Sequence, residues 1–212
     1  MTKERKSSVK KKTKVLAIGD IHGDTSLVKK LAKKAKDENV DLVILAGDLT
    51  FFEHSSKDII GPFIKENKEV LLIPGNHESM HTIKNLTELY PKTSHIHGYS
   101  MMKEDVGIFG AGYDSTVGPF RIEDEEIFKL LKKGHEKIKD AKKKIMVTHT
   151  NPEESISEFS GVEGSRAVAK AIKEFKPDIH ISAHVHPAGG LQEKIGKTKV
   201  LHVGRRATIF EI

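Results

Sequence analysis

The sequence predicts a layered α/β domain with its strands covered by helices. Short β-branched and leucine-rich runs alternate with longer segments of helical period. The 212 residues fit one domain, a length that buries roughly 70% of the surface an unfolded chain exposes. Beyond a lysine-rich start there is neither an internal repeat nor a low-complexity stretch to suggest a different architecture.

The first strand is Val15 to Ile18. Asp24 then caps a helix whose Leu27, Val28, Leu31, Ala32 and Ala35 form one apolar stripe with lysines opposite. Further strands are expected at Leu42 to Ala46, Val70 to Ile73 and Val106 to Phe109. Gly110 to Phe120, rich in glycine and closed by Gly118-Pro119, reads as a loop of the kind that borders a site. Glu123 to Glu126, followed by Ile127, Phe128, Leu130 and Leu131 and then Lys132-Lys133-Gly134, reads as a helix whose charges suit its dipole and which the glycine stops. Strands at Ile145 to Thr148 and Ile179 to Ser182 follow. Past His186 the pattern changes to short segments, Gly190 to Ile195, Lys199 to Val203 and Ala207 to Glu211, which look like an antiparallel ending.

Charge narrows the partners. The formal net charge is +6, but residues 1–14 hold seven of the basic and one of the acidic residues, so the remaining chain is formally neutral. A protein gripping duplex phosphates over a broad face needs a basic body, so nucleic acid is possible but disfavoured. Residues 1–13 are expected to be a basic disordered tail, with residues 14–212 as the domain. The apolar run after the lysines is too short for a signal peptide, and no run approaches the roughly 20 residues of a membrane span. With zero cysteines there is no disulfide framework and no thiolate metal site; a cytoplasmic setting is the expectation. Nothing in the pattern reads as an oligomer signal.

Five short motifs carry the chemistry: Asp20-x-His22, Gly47-Asp48, Gly75-Asn76-His77-Glu78, His149 and His184-x-His186. Carboxylates, an amide oxygen and neutral imidazoles suit divalent ions such as manganese, iron or zinc. Each motif follows one of the expected strands, and in open α/β sheets ligand sites form where loops converge at the carboxyl ends of strands. Any one motif alone is weak, since Gly-Asp after a strand is usually a turn and a lone histidine is usually structural. Five of them at equivalent strand ends are hard to attribute to chance.

In that order the motifs resemble the signature of the calcineurin-like metallophosphoesterase superfamily, over residues 14–204. The resemblance implies two facing mixed β-sheets flanked by helices, a four-layer α/β/β/α sandwich. It implies that Asp20, His22 and His186 hold one metal, that Asn76, His149 and His184 hold a second, and that Asp48 bridges them. Manganese is the first candidate, with iron, zinc, nickel or cobalt as alternatives. His77 takes the family's role of protonating the leaving oxygen or stabilising its developing charge. Glu78 is either a carboxylate that orients the His77 ring and raises its pKa or a surface residue at a helix start. The residues themselves support Asp48 as the bridge, because one carboxylate offsets the repulsion of two cations held about 3.5 to 4 Å apart.

The implied activity is hydrolysis of phosphomonoesters or phosphodiesters, small molecules or nucleotides, by in-line attack of a hydroxide shared by the metals. The sequence departs from the family pattern at Ala183, where glycine is usual, at Pro187, and at His202-Val203, where Asn-Pro is frequent. The Gly-Asp-x-x-Asp-Arg-Gly of protein serine/threonine phosphatases is missing; the chain reads Gly47-Asp48-Leu49-Thr50-Phe51-Phe52-Glu53. A nuclease of the same superfamily, or a non-catalytic scaffold like the retromer subunit of this fold, are the alternatives. His202 is either a structural residue near a strand end or a contact to a metal, metal-bound water or substrate; His54, His81, His95, His97, His135 and His180 are expected to be surface or packing residues, and Arg205 and Arg206 surface residues or phosphate ligands. Phe51, Phe52 and Tyr113 either line a substrate-facing wall or belong to the core.

Overall fold

A computed structural model describes residues 12–212. Most of the expected basic tail therefore lies outside the described residues; Thr13 already pairs with Ile212 through two backbone hydrogen bonds of 3.1 Å and is buried. The chain builds two sheets. The first has the order β11-β1-β2-β3-β4, from β1 (Lys14–Ile18), β2 (Leu42–Ala46), β3 (Glu69–Ile73), β4 (Thr93–His95) and β11 (Thr208–Glu211). The second has the order β5-β6-β7-β8-β10-β9, from β5 (Ser100–Lys103), β6 (Val106–Ala111), β7 (Lys143–Thr148), β8 (Ile179–Ser182), β9 (Gln192–Ile195) and β10 (Thr198–His202).

Both sheets are mixed. β1, β2, β3 and β4 run parallel, and so do β6, β7, β8 and β10, while β11, β5 and β9 add antiparallel edges. The alternation of side chains along each strand separates three apolar layers. Leu16, Ile18, Val43, Leu45, Val70 and Leu72 face α1 (Thr25–Asp37), α2 (Gly61–Lys65) and α3 (Met80–Leu89). Val15, Ala17, Leu42, Ile44, Leu71 and Ile73 face the other way, into Ile108, Ile145, Val147, Ile181 and Leu201 of the second sheet. Phe109, Met146 and Val200 on that sheet's outer face pack against α4 (Asp124–Glu136) and α5 (Arg166–Phe175). The result is helix, sheet, sheet, helix. Strands covered on both faces have no solvent side, which is why their sequences read as unbroken apolar runs.

Local chemistry sets the helix ends. The Asp24 carboxylate accepts from Leu27 N at 2.9 Å and starts α1. Acidic Asp124, Glu125 and Glu126 open α4, and Lys133 and His135 lie in its last turn. Gly134 does not stop that helix, which runs on to Glu136; a Cβ there would sit 2.7 Å from the Tyr99 carbonyl oxygen, so the glycine permits a close approach. The ending also differs from expectation. β9 and β10 form an antiparallel pair, but β10 lies parallel to β8, and β11 crosses to the edge of the first sheet beside β1.

Candidate metal centre

The carboxyl ends of β1, β2 and β3 meet those of β7 and β8 across the space between the sheets, and the five motifs sit there. Bonds between the sheets hold the meeting point together. His149 Nδ1 lies 2.9 Å from the Ala46 carbonyl, His184 N donates to Asp20 Oδ1 at 3.1 Å, and Gly19 N donates to the Gly204 carbonyl at 2.9 Å.

Three of the five ligand loops leave their strands by a sharp turn. Asp20, His22, Asp48 and His184 all have left-handed backbones, with φ of 50°, 47°, 51° and 62°. Non-glycine residues adopt that conformation at a cost, Asp and His more readily than most, and it persists where the surroundings enforce it. Here Asp20 N donates to the Gly47 carbonyl at 3.0 Å and His22 N to the Asp48 carbonyl at 2.9 Å, so the two loops enforce each other.

The glycines before the ligands provide room. A Cβ on Gly75 would overlap the Asp48 carboxylate, and one on Gly47 would lie 2.6 Å from His149 Nδ1. Gly19 likewise leaves space for the Ala183 methyl, so the alanine that replaces the usual glycine is accommodated by its neighbour across the sheets.

The side chains converge. Three overlapping groups, Asp20/His22/His186, His22/Asp48/His77 and Asp48/His149/His184, each bring their ligand atoms within 4.8 Å of one another. His22 Nε2 and His186 Nε2 are 3.1 Å apart. His149 Nε2 lies 2.9 Å from Asn76 Oδ1 and 3.4 Å from Asp48 Oδ1. The other Asp48 oxygen, Oδ2, lies 3.7 Å from His22 Nε2 and 3.8 Å from His77 Nε2. Asp48 thus turns one oxygen to each half of the site.

The donor set fits divalent cations. With its Nδ1–H given to the Ala46 carbonyl, His149 presents an Nε2 lone pair to two oxygen acceptors, an arrangement that is repulsive unless a proton or a cation lies between them. Asp20 Oδ2 is buried with no hydrogen-bond partner, which costs free energy that a cation would recover.

Protonation follows from the same geometry. Burial pushes His22 and His184 down to about 4, helped by His77 and His186 at the first and by His149 at the second, so both imidazoles are neutral and able to ligate near pH 7. Burial raises Asp20 to about 6, although the His149 and His186 charges oppose it. Burial also acts on Asp48, but the charges of His149, His77 and His22 outweigh it and hold this carboxyl well below the ordinary range. His149 is fully buried, which lowers its pKa, yet the Asp48 and Asp20 carboxylates more than offset this and carry it up to about 10.

His77 shares the Oδ2 side of Asp48 with His22, their ring centroids 4.7 Å apart. Its backbone N–H donates to Asp48 Oδ1 at 3.2 Å, its ring stacks on Phe52 with centroids 4.0 Å apart, and its Nδ1 has no hydrogen-bond partner. Both expectations for Glu78 need correction. Its carboxylate is fully buried, so it is no surface residue, and it accepts from Thr50 N, Thr50 Oγ1 and Gly75 N at 2.8 to 3.0 Å, away from the His77 ring. It ties the Asp48 loop to the Asn76 loop. Burial and the Asp48 charge raise its pKa to about 7.

Other residues resolve as follows. His202 is buried between Ser182 Oγ, 3.0 Å from its Nδ1, and Glu193 Oε1, 2.8 Å from its Nε2, and so packs rather than ligates. Arg205 is neither a bare surface residue nor a phosphate ligand in this arrangement: its guanidinium donates to the Asp20 and Ile21 carbonyls and to Asp24 Oδ2, bracing the first ligand loop from behind. Phe51 and Phe52 are exposed beside the site, whereas Tyr113 is buried against His97. Sequence reasoning missed Asp114. It is buried in the glycine-rich loop, its Oδ1 accepts from Thr116 N, Thr116 Oγ1 and Val117 N, and its Oδ2 lies 3.8 Å from His184 Nε2. Only its place in a loop expected to border a site could have pointed to it. That loop does border the site: Gly118 packs on the Asn76 side chain.

Comparison with known proteins identifies the fold and the family. Among solved structures, the fold is similar to that of TT1561 of Thermus thermophilus, at 20% identity over 95% of this chain and 99% of that one, with a TM-score of 0.76. It is also similar to a dimetal phosphatase from Danio rerio, at 11% identity over 91% of this chain and 87% of that one, with a TM-score of 0.60. An archaeal phosphodiesterase matches at 15% identity over 94% and 99% of the two chains, with a TM-score of 0.55. No curated protein matches the chain. The family model for calcineurin-like phosphoesterases matches residues 13–188, which spans every motif of the site, and the chain belongs to that family.

Proposed function

We propose that this protein is a two-metal phosphoesterase that hydrolyses phosphomonoesters or phosphodiesters of small molecules or nucleotides. The observation that carries the reading is the Asp48 carboxylate, with one oxygen facing His149 and the other facing His22 and His77. Asp20, His22 and His186 would hold one cation, Asn76, His149 and His184 the other, and Asp48 both. Bound there, manganese or a similar divalent ion supplies Lewis acidity toward the phosphoryl oxygens and acidifies water to a nucleophile.

The chain's own residues do the rest. Neutral His22 and His184 keep their lone pairs near pH 7, and the left-handed turns aim the ligand side chains without reorganisation. His77 stands at the rim with Nε2 toward Asp48; burial outweighs the Asp48 charge and lowers its pKa, so a neutral ring N–H there would hydrogen-bond to the departing oxygen and stabilise its developing charge. Arg205 and Glu78 hold the loops that carry the ligands. Among the described residues no helix is long and apolar enough to cross a membrane, so no part of the site depends on a membrane-spanning helix.

The test is metal content together with turnover. Protein stripped with chelator and reloaded with manganese should hold two ions per chain and hydrolyse para-nitrophenyl phosphate or its bis ester. Protein that takes up no metal and turns over neither ester would overturn the proposal in favour of a scaffold on the same fold.

A further inference from the structure

The turn from Thr50 to His54 follows β2 directly and holds two aromatic rings in water. Phe51 is 52% exposed and Phe52 44%. A loose turn would let such rings fold under, yet this one is fastened at both ends. Thr50 donates twice to the buried Glu78 carboxylate, and Glu53 Oε1 accepts from Ser79 N, Ser79 Oγ and Thr82 Oγ1. Phe52 and Glu53 have φ of 50° and 59°, a region costly for a bulky side chain. Strain and anchoring together hold the rings out.

Their position identifies the use. Phe52 lies flat against His77, with centroids 4.0 Å apart and an interplanar angle of 23°. Phe51 meets Phe52 at 4.7 Å and 70°, and its centroid is 5.5 Å from His77 and 6.0 Å from His22. The pair makes an L-shaped, half-exposed corner next to the imidazole assigned to the leaving oxygen, with the His54 ring near-parallel to Phe51 at 6.3 Å between centroids.

Resting on the phosphoesterase reading, we propose that Phe51 and Phe52 form a leaving-group subsite for phosphoesters whose alcohol carries a flat ring, a nucleoside base or an aryl group. His77 already covers one face of Phe52, so a ligand ring stacks on Phe51 and meets Phe52 edge-on, with its ester oxygen on the His77 side. Stacking of a base on an aromatic side chain strengthens binding by roughly 5- to 150-fold, so a ring-bearing ester gains on the order of tenfold over its ringless counterpart.

The test uses ester pairs with the same kind of leaving oxygen. One pair is adenosine monophosphate against the ribose phosphate that lacks the base; the other is benzyl phosphate against ethyl phosphate. The methyl diesters of all four cover the diesterase case. For the manganese-loaded protein, kcat/KM should favour the ring-bearing member of at least one pair about tenfold, mostly through KM. Preference within the adenosine pair alone assigns a base, and within the benzyl pair alone an aryl group. In the Phe51→Ala/Phe52→Ala double variant that ratio should fall to near one, and the Phe51→Leu/Phe52→Leu variant, which keeps apolar area without a flat face, should restore less than half of it. Equal rates within both pairs for the natural protein, or a ratio that survives the double alanine variant, would overturn the subsite. Calorimetric binding of the same compounds is measured alongside. If nothing is hydrolysed, the phosphoesterase reading fails, while tighter binding of the ring-bearing member that disappears in the double variant would still support the subsite and equal binding would still sink it.

Discussion

Asp48 has no spare capacity. Its Oδ1 faces His149 and accepts from His77 N, and its Oδ2 faces His22 and His77, so removing the carboxylate disconnects both halves of the centre at once. The Asp48→Ala variant is expected to lose both metals and all measurable turnover, read by metal analysis and ester hydrolysis on the same sample. His77→Ala should behave differently, keeping two metals while kcat falls by about 10²- to 10³-fold, the usual loss of one positioned donor to a developing oxyanion. Retention of full activity would remove His77 from the chemistry. At this scale the sequence was informative wherever a residue type is itself the chemistry: Asp20, His22, Asp48, Asn76, His149, His184 and His186 could be named because each follows an apolar run, and they converge. Roles set by direction were not legible. Glu78 stands next to His77 in the chain but points the other way, to Thr50 and Gly75, and Asp114 reaches His184 from a loop whose path no spacing announces.

Elements converge here because specific positions lack a side chain. A methyl group at Gly75 would take the space of the Asp48 carboxylate, so Gly75→Ala is expected to weaken metal binding sharply while leaving the circular dichroism of the fold intact. Glu78→Ala acts on the same junction by another route: it strands the buried N–H groups of Thr50 and Gly75. That change should cost about 1 to 3 kcal/mol in denaturant unfolding. A Glu78→Ala protein as stable as the natural one would show that the carboxylate does not join the loops. The main strands were legible since they are buried on both faces. The short edge strands β4 and β5, and α2, α3 and α5, were not singled out, because their lengths fall near the limit at which periodicity distinguishes anything. The register of β11 was beyond local reading: its pairing with β1 at the far end of the chain is a long-range contact.

For the molecule as a whole, three apolar layers make a rigid sandwich and the metal centre lies at one end of the middle layer. Polar groups elsewhere in that sandwich make stability depend on pH. His180 is fully buried, its Nε2 lies 2.8 Å from Thr148 Oγ1, which itself donates to the Thr150 carbonyl, and its Nδ1 has no partner. Burial, with His202 nearby, pushes its pKa from 6.5 down to about 3. The folded state therefore binds fewer protons than the unfolded chain across that interval, and stability present above about pH 6.5 is lost progressively as pH falls toward 3. A His180→Gln variant should lose about 2 kcal/mol less than the natural protein between pH 7 and pH 5 in denaturant unfolding. Parallel pH curves for the two proteins would contradict the assignment.

The four-layer arrangement itself was accessible only through the resemblance to a family, since alternating strands and helices are compatible with several α/β layouts. The most direct measurement of the account is anomalous diffraction from crystals of the manganese-loaded protein. Two peaks about 3.5 to 4 Å apart, one on each side of the Asp48 carboxylate, are the predicted result. A single peak, or peaks away from Asp48, would contradict it.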